Sequence, residues 1–365
     1  MENQKPDAAV EQNAPEAEGA KTSRISRGHL ILLLIGLGAF AFFCFLMLWI
    51  SFGAKVEEKK SAAKDRIIAP TEKPRFSGDI CTITLPEYTT RSEDPQTVNP
   101  KLVLVRVAKG AFTMGDASGR RNEKPCSVAL DEDFYIGRTE VTQDQWRTVM
   151  GIKDNGNDDG KKKNSYFRGD DLPVDMVSWK EAMAFCDKLN KSGFAPAGWM
   201  FTLPTEAQWE FAARGGVKSR GCKYSGSDNI DEVAWHFGNN ANNPDKKKLP
   251  DRDLNRPVAQ KKPNELGLYD MTGNVWEWCL DRYESAPRPT APRVADSSNV
   301  VYRSIRGGSW YTKKEILLRE YDDKGKRSGE RKIDGCRVAV RSQASPDTSA
   351  LYIGFRVALV KKPAK

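Results

Sequence analysis

The chain has 365 residues, of which 39% are hydrophobic and 29% are charged. That is enough apolar material for one large globular domain or two small ones. Lysine and arginine outnumber aspartate and glutamate by 58 to 49, which gives a formal net charge of +9. The lysines lie in short runs, 161–163 and 246–248, that lack interleaved aromatic residues. Such runs are typical of a solvated surface, so we expect no nucleic-acid partner.

The N-terminal part of the chain predicts a tail followed by a membrane anchor. Residues 1–28 are rich in Glu, Ala, Asn, Gln and Lys and nearly free of large apolar residues, as disordered segments are. Residues 30–50 carry no charge, and 21 such residues at about 1.5 Å each span the ~30 Å hydrocarbon layer. A cleaved signal peptide, the alternative, would have a shorter apolar core. We predict a disordered cytoplasmic tail at 1–28 and a transmembrane helix at 29–52.

The flanking charges do not fix the orientation of this helix. Three cations lie between residues 21 and 27, and five lie between residues 55 and 66. Large domains that follow a span translocate largely regardless of such charges, so we predict a single-pass protein with its C-terminal domain in the periplasm or outside the cell. Residues 53–98 are charged and interrupted by prolines, which predicts a linker.

Seven cysteines occur, and Cys44 lies within the predicted span. The other six could form up to three disulfides in an oxidising compartment, but their spacing selects no pairing. No Cys-x-x-Cys pair is present, which argues against a zinc ribbon or a thioredoxin-like site.

Residues 99–365 are predicted to form the folded domain. A strand and a glycine turn are indicated at 101–115, and a second strand at 134–142. Three short helices are predicted next. Each is indicated by a capping box, in which a Ser or Thr precedes a Glu or Gln by three residues. The pairs are Thr142 with Gln145, Ser178 with Glu181, and Thr205 with Gln208.

The middle helix has one apolar face, and the outer two helices end near glycines, at Gly151 and Gly215. The apolar face has the helical spacing i, i+3, i+4 and i+7 and consists of Ala182, Phe185, Cys186 and Leu189. After Gly216 the periodicity fades into Gly-, Asn- and Trp-rich sequence with short strand-like pieces at 304–310, 336–342 and 353–359. Three short helices among many short strands predict an α+β fold.

Several sequence segments and their order are more informative than the hydrophobic periodicity. They are GAFTMG at 110–115, LPVDMVSWKEAMAFC at 172–186, LPTEAQWEFAARGG at 203–216, NELGLYDMTGNVWEWC at 264–279, RGGSW at 306–310, RSQASPD at 341–347 and GFRVAL at 354–359. In this order they resemble the formylglycine-generating enzyme, or sulfatase-modifying factor, domain family over nearly all of residues 101–360. The resemblance implies an irregular fold related to C-type lectins, low in regular secondary structure and stabilised by bound calcium. It also implies that catalytic members oxidise a sulfatase cysteine to formylglycine with a cysteine pair that binds copper and oxygen.

The catalytic cysteine pair is where this sequence departs from the family. Counted without gaps, Thr312 and Leu317 stand at the two cysteine positions, and neither can bind Cu(I), which prefers soft thiolates. Cys336 is the nearest cysteine that follows, after a charged stretch that looks like an insertion. Ser309 matches the family's active-site serine and Trp278 matches a neighbouring tryptophan. The alternatives are that Ser309 only caps a turn and that Trp278 is only core.

The resemblance also places a calcium site in GNVWEW. The side chains of Asn274 and Glu277 and the carbonyl of Val275 match the family's ligands, and calcium prefers such hard oxygen donors. The alternative is that Asn274 caps a turn and that Glu277 pairs with an arginine. The only histidines, His29 and His236, are too few for a non-haem iron site, and they make a Ser-His-Asp triad improbable. We therefore expect structural calcium but no copper or iron.

These observations favour a membrane-anchored, non-catalytic domain that binds an envelope protein, a peptide or a glycan. The surface around Trp310, Tyr311 and Arg341 is the predicted ligand-binding surface. The first alternative is an oxidase of the formylglycine-generating type. The second is a passive scaffold subunit of a membrane complex.

Overall fold

The computed structural model describes residues 69–70, 72–86, 100–151, 165–167, 169–240, 255–285, 301–321 and 327–363. The predicted tail, the predicted transmembrane helix and both lysine runs lie outside these ranges. Within the described ranges, no helix has the length and apolar character needed to cross a membrane.

Short strands make up most of the regular structure of the described chain. In chain order they are β1 (Arg75–Ser77), β2 (Ile80–Thr84), β3 (Lys101–Val107), β4 (Gly110–Met114), β5 (Cys126–Leu130), β6 (Phe134–Gly137), β7 (Trp199–Thr202), β8 (Trp276–Arg282), β9 (Arg303–Arg306), β10 (Glu315–Tyr321), β11 (Arg327–Asp334), β12 (Arg341–Ala344), β13 (Ile353–Gly354) and β14 (Ala358–Lys361).

The largest sheet is antiparallel and has the strand order β1-β2-β3-β6-β14-β7. Its first two strands fall inside the segment predicted as a linker. β2 pairs with β3 along its whole length, from Ile80 opposite Val105 to Thr84 opposite Lys101. In β2 the apolar side chains of Cys81 and Ile83 are buried, an alternation of period two that marks a strand. The start of the folded domain, predicted at residue 99, was therefore placed too late, because β1 and β2 belong to this sheet.

The three predicted helices are confirmed as α1 (Gln143–Met150), α2 (Trp179–Lys191) and α3 (Glu206–Ala213). Each begins with the predicted capping box, in which both reciprocal hydrogen bonds are present. The predicted apolar face of α2 is buried. A one-turn helix, α4 (Ile230–Val233), was not predicted. The α+β class is therefore confirmed.

A four-stranded sheet with the order β12-β9-β8-β13 carries the sequence motifs of interest. β8 contains the WEW segment and β9 ends at the Gly-Gly turn, and the two strands pair antiparallel, with Glu277 opposite Arg306. The pairing of β8 and β9 therefore brings two motifs that are distant in sequence to the same end of the two central strands of this sheet.

β10 and β11 form a separate two-stranded hairpin, with Glu315 opposite Asp334 at its base. The chain leaves and re-enters at almost the same point, because the Gly335 N–H donates to the Lys314 carbonyl at 2.9 Å. A side chain at residue 335 would meet the Lys313 carbonyl oxygen at 2.4 Å, so glycine is required there. The charged stretch is therefore an insertion that closes on itself.

The six cysteines of the described chain are all free. Burial raises the pKa of the Cys81 thiol to about 11 and that of Cys336 to about 12. These thiols are protonated at neutral pH, and the disulfides considered from the sequence do not occur in this structure.

Candidate functional site

The Gly-Gly turn after β9 shapes the centre of the site. Gly307 and Gly308 both have left-handed backbones, with φ of 98° and 80°. A Cβ on Gly308 would lie 3.1 Å from the Cys336 sulfur and 3.6 Å from the Thr312 hydroxyl. The turn therefore brings Thr312 and Cys336 against the same small volume, which only a glycine leaves open.

Ser309 is buried and its polar atoms are used by the turn. Its N–H donates to the Thr312 hydroxyl at 2.9 Å, and the Thr312 N–H donates back to the Ser309 carbonyl at 2.9 Å. The two hydroxyl oxygens are 3.3 Å apart, and the Ser309 hydroxyl accepts the Tyr311 N–H at 3.3 Å. These contacts match the turn-capping alternative for Ser309.

Leu317 was wrongly placed in the groove. Its side chain lies on β10 and is 54% exposed. Once the hairpin 315–334 is left out, Gly335 and Cys336 follow directly on Lys314, so Cys336 is the residue that returns to Thr312. Counting along the sequence failed because the insertion closes on itself. The pair of positions thus holds one hydroxyl and one buried, protonated thiol.

Trp278 is core. It is fully buried, and its indole N–H donates to the Val177 carbonyl at 2.8 Å. This contact matches the second alternative weighed from the sequence.

The residues predicted to bind calcium have other partners. Arg356 donates to both carboxylate oxygens of Glu277, each at 2.6 Å, and the Trp209 indole N–H adds a third bond at 2.6 Å. The Asn274 side-chain oxygen accepts the Arg256 N–H at 3.0 Å, and its amide donates to Glu140 at 2.8 Å. In this arrangement a calcium ion at Asn274, Val275 and Glu277 would have to compete with donors that the oxygens of both side chains already accept. Glu277 is paired with an arginine, as the alternative interpretation of the sequence proposed.

Sequence reasoning missed two buried acids beside Glu277. Burial raises the pKa of Glu140 well above its usual range, and the nearby carboxylates add to the shift. Burial also raises the pKa of Asp270, to about 6. One Asp270 oxygen accepts the Ala259 N–H at 2.7 Å and the other has no partner. Within the described ranges, no three His, Cys, Asp or Glu side chains converge as metal ligands do.

We expect the melting temperature of the protein to change little between a calcium buffer and a chelating buffer. The physical reason is that calcium would have to displace the Arg356 guanidinium from Glu277. Differential scanning fluorimetry in about 1 mM CaCl₂ and in about 1 mM EDTA measures the difference in melting temperature. A rise of several degrees with calcium, abolished by Asn274→Ala, would contradict the expectation and restore the predicted site.

His236 is buried. One ring nitrogen lies 3.0 Å from an Asp231 carboxylate oxygen and the other accepts the Gly238 N–H at 3.1 Å. Both ring nitrogens are therefore engaged within the 231–238 segment, and no hydrogen bond links the ring to Ser309 among the described residues.

Six aromatic side chains from four chain segments touch one another beside the Gly-Gly turn. We call them the aromatic surface: Tyr166, Phe167, Phe237, Trp310, Tyr311 and Tyr352. Neighbouring rings stand mostly edge to face, with centroids 5.0–6.1 Å apart, and Tyr311 lies nearly parallel to Tyr352 at 6.4 Å. Tyr166 and Tyr311 are 62% and 54% exposed.

Two residues of the predicted ligand-binding surface are buried instead. Trp310 is 3% exposed and forms the floor under Phe167 and Tyr311. Arg341 is 2% exposed and donates to both carboxylate oxygens of Glu206, at 2.6 and 2.7 Å. Arg341 was therefore wrongly predicted, because its charge is neutralised inside the domain. Tyr311 is the one of the three that faces solvent.

The chain is similar to several known proteins. The family model described as "Sulfatase-modifying factor enzyme 1-like domain" matches residues 88–361. The "Chaperone protein LppX" of Paenibacillus barcinonensis is 35% identical over 282 residues, which cover 68% of this chain and 91% of that protein. The formylglycine-generating enzyme of Streptomyces coelicolor is 33% identical over 192 residues, 51% of this chain and 52% of that enzyme. The chain thus spans about half the length of that enzyme.

A solved structure is similar over most of the described domain. It is "Treponema denticola variable protein 1", which is 26% identical and has a TM-score of 0.53. The match covers 71% of this chain and 95% of that protein.

Proposed function

Because this chain belongs to the sulfatase-modifying factor family, we propose that it is a membrane-anchored binding domain of that family without its oxidase chemistry. The proposal is that residues 29–52 anchor the chain and that the domain binds an envelope protein, a peptide or a glycan. The observation that carries the proposal is the aromatic surface, where exposed tyrosine rings lie over a tryptophan floor beside a centre that lacks a thiol pair.

The presence of a single thiol, that of Cys336, argues against the oxidase alternative. Cu(I) binding by the family's catalytic members uses two soft thiolates. Here Thr312 offers only a hydroxyl, and burial raises the pKa of Cys336 to about 12, so its sulfur is neither paired nor ionised. We expect the purified protein to convert no Cys-x-Pro-x-Arg peptide to an aldehyde when copper and oxygen are supplied.

The aromatic surface supports a binding role. Tyrosine gives a large, rigid contact area with a polar tip and loses little conformational entropy on binding, which is why it dominates many recognition surfaces. A tyrosine pair that is already held in place, as Tyr311 and Tyr352 are, limits that loss further. The relative named as a chaperone, of which this chain spans 91%, supports a protein or peptide over a glycan as the partner.

We expect Tyr311→Ala to weaken binding of a purified partner about tenfold or more, because aromatic anchors at an interface commonly contribute 1–2 kcal/mol or more. The partner is identified by photo-crosslinking to the detergent-solubilised full chain and then purified, and its dissociation constant is measured by surface plasmon resonance. Tyr302→Ala is the matched control, since Tyr302 is also an exposed tyrosine but forms no ring pair with the aromatic surface within the described ranges. Equal affinities of the Tyr311→Ala and Tyr302→Ala variants would refute the assignment of this surface.

A further inference from the structure

An exposed lysine lies at the edge of the aromatic surface. The Lys313 ammonium is 5.8 Å from the centre of the Phe237 ring, within the ~6 Å at which a cation is attracted to a ring face. The Tyr311 ring meets the same phenylalanine edge to face, with centroids 6.1 Å apart. Tyr311 and Lys313 are both exposed. Phe237 therefore holds a solvent-facing tyrosine and a solvent-facing cation next to each other.

The turn after Ser309 fixes the backbone that carries both residues. Thr312 lies between them, and its N–H donates to the Ser309 carbonyl at 2.9 Å while its carbonyl accepts the Phe237 N–H at 3.1 Å. Its hydroxyl accepts the Ser309 N–H at 2.9 Å. Because Thr312 is held at all three of these groups, Tyr311 and Lys313 extend from an ordered stretch of backbone. A partner does not have to order this stretch on binding, which lowers the entropic cost.

The positive charge of Lys313 is not neutralised inside the domain. The acidic side chains of residues 230–240 and 309–315, the segments that carry Phe237 and Lys313, already have partners. They are Asp231 with His236 and Asn239, Glu232 with Lys262, and Glu315 with Lys332. Lys313 itself forms no ion pair with any residue of the described chain. Its ammonium is therefore available to a charge from outside.

The combination of rings and cation indicates a chemical class of partner. The tyrosine rings can pack against an apolar or aromatic side chain, and the ammonium attracts a carboxylate close to that side chain. A nucleic acid would require cations repeated along its phosphate backbone. Within the described ranges, Lys313 is the cation that lies over a ring of this surface, so the arrangement fits a single anionic side chain better than a polyanion.

We propose that Lys313 makes the aromatic surface selective for an acidic peptide segment, in which a carboxylate meets the Lys313 ammonium while a neighbouring side chain packs on Tyr311. This inference rests on the proposed function, because it refines the partner of the same surface. It makes Lys313 a specificity-determining residue and makes Asp or Glu a required feature of the peptide.

Selection from a random peptide library tests the proposal. The probe is a phage-displayed library of peptides of about 12 residues, and the bait is the detergent-solubilised full chain. We expect the selected peptides to contain Asp and Glu at about twice their frequency in the unselected library or more. Their binding should also weaken about threefold between about 50 and 300 mM NaCl, because salt screens an exposed charge pair.

Substitutions of Lys313 separate its charge from its bulk. Lys313→Met keeps an unbranched side chain without the charge, so the acidic preference and the salt dependence should both disappear. Lys313→Glu should weaken the most enriched wild-type peptide about tenfold and should select Lys and Arg instead. Lys362→Glu is the matched control, because it changes the net charge equally. Lys362 is exposed and lies beyond β14, where its N–H donates to the Gly198 carbonyl.

Selected peptides without an excess of Asp and Glu, or an acidic preference that Lys313→Glu retains, would overturn the proposal. A library from which no peptide is enriched would overturn it as well, and would leave the Tyr311→Ala test on the crosslinked partner unaffected. Tyr311→Ala should enrich none of the wild-type peptides. If it still enriches them, the binding surface itself is refuted, so failure of the proposed function is distinguishable from failure of the acidic specificity.

Discussion

Replacing Glu277 by alanine is expected to lower the free energy of unfolding by about 3–5 kcal/mol, the loss typical when one partner of a buried ion pair is removed. Glu277 and Arg356 are both fully buried, and two hydrogen bonds of 2.6 Å join them. Alanine would leave the Arg356 guanidinium inside the domain without its bidentate partner, and would also leave the Trp209 indole N–H unpaired. Urea unfolding followed by tryptophan fluorescence measures the change.

A double variant distinguishes the effect of breaking the ion pair from the effect of losing side-chain volume. In Glu277→Met/Arg356→Leu both charges are removed and apolar volume is kept, so the loss should be smaller than in either single variant. Glu315→Ala, which breaks an exposed pair with Lys332 on the hairpin, is the control for removing a glutamate and should change little. A double variant as unstable as the sum of the two singles would contradict the assigned role of the pair.

The variant Thr312→Cys is expected to form a disulfide with Cys336. The Thr312 hydroxyl and the Cys336 sulfur lie 3.6 Å and 3.1 Å from one point, the Cβ position of Gly308, so two thiols there can approach each other. Oxidised glutathione would accept the two electrons, and both thiols would lose their protons as the S–S bond forms. The reaction should be slow, because burial raises the pKa of the Cys336 thiol to about 12.

Thiol titration under denaturing conditions is the readout. After oxidation, Thr312→Cys should show two fewer reactive thiols than its reduced form, whereas Thr312→Ser should show no change. Thr312→Cys combined with Cys336→Ala should keep its new thiol free. A Thr312→Cys variant that retains all its thiols under oxidised glutathione would show that Cys336 does not return to Thr312 as the hairpin geometry indicates.

The helices of this fold could be predicted from the sequence, but the partners in the site could not. A capping box is encoded within four residues, so Thr142, Ser178 and Thr205 marked the helix starts correctly. The partners of Glu277 are 79 and 68 residues away, and no local pattern reveals them. Sequence reasoning named an arginine as the alternative partner of Glu277, and only the fold identified it as Arg356.

Exposure was the second quantity that residue type could not supply. Tryptophan and arginine are both common in recognition surfaces. Here, however, Trp310 is buried beneath other rings, and Arg341 is buried and paired with Glu206. The β1–β2 segment was missed for a related reason. Its short alternation lies among charged and proline-rich residues, and only pairing with β3 shows that Cys81 and Ile83 face a core.

The hairpin of β10 and β11 makes this part of the domain a place where length can vary freely. Its two ends meet at the bond between Gly335 and Lys314, so its removal or extension leaves the entry and exit points unchanged. The entropy of closing a loop grows only slowly with length, which makes such exchanges inexpensive for the rest of the chain. Related chains can therefore carry arms of different size or sequence beside the aromatic surface while the Gly-Gly turn keeps its shape. The hairpin beside Thr312 and Cys336 is thus also a natural insertion point for a peptide tag or a reporter.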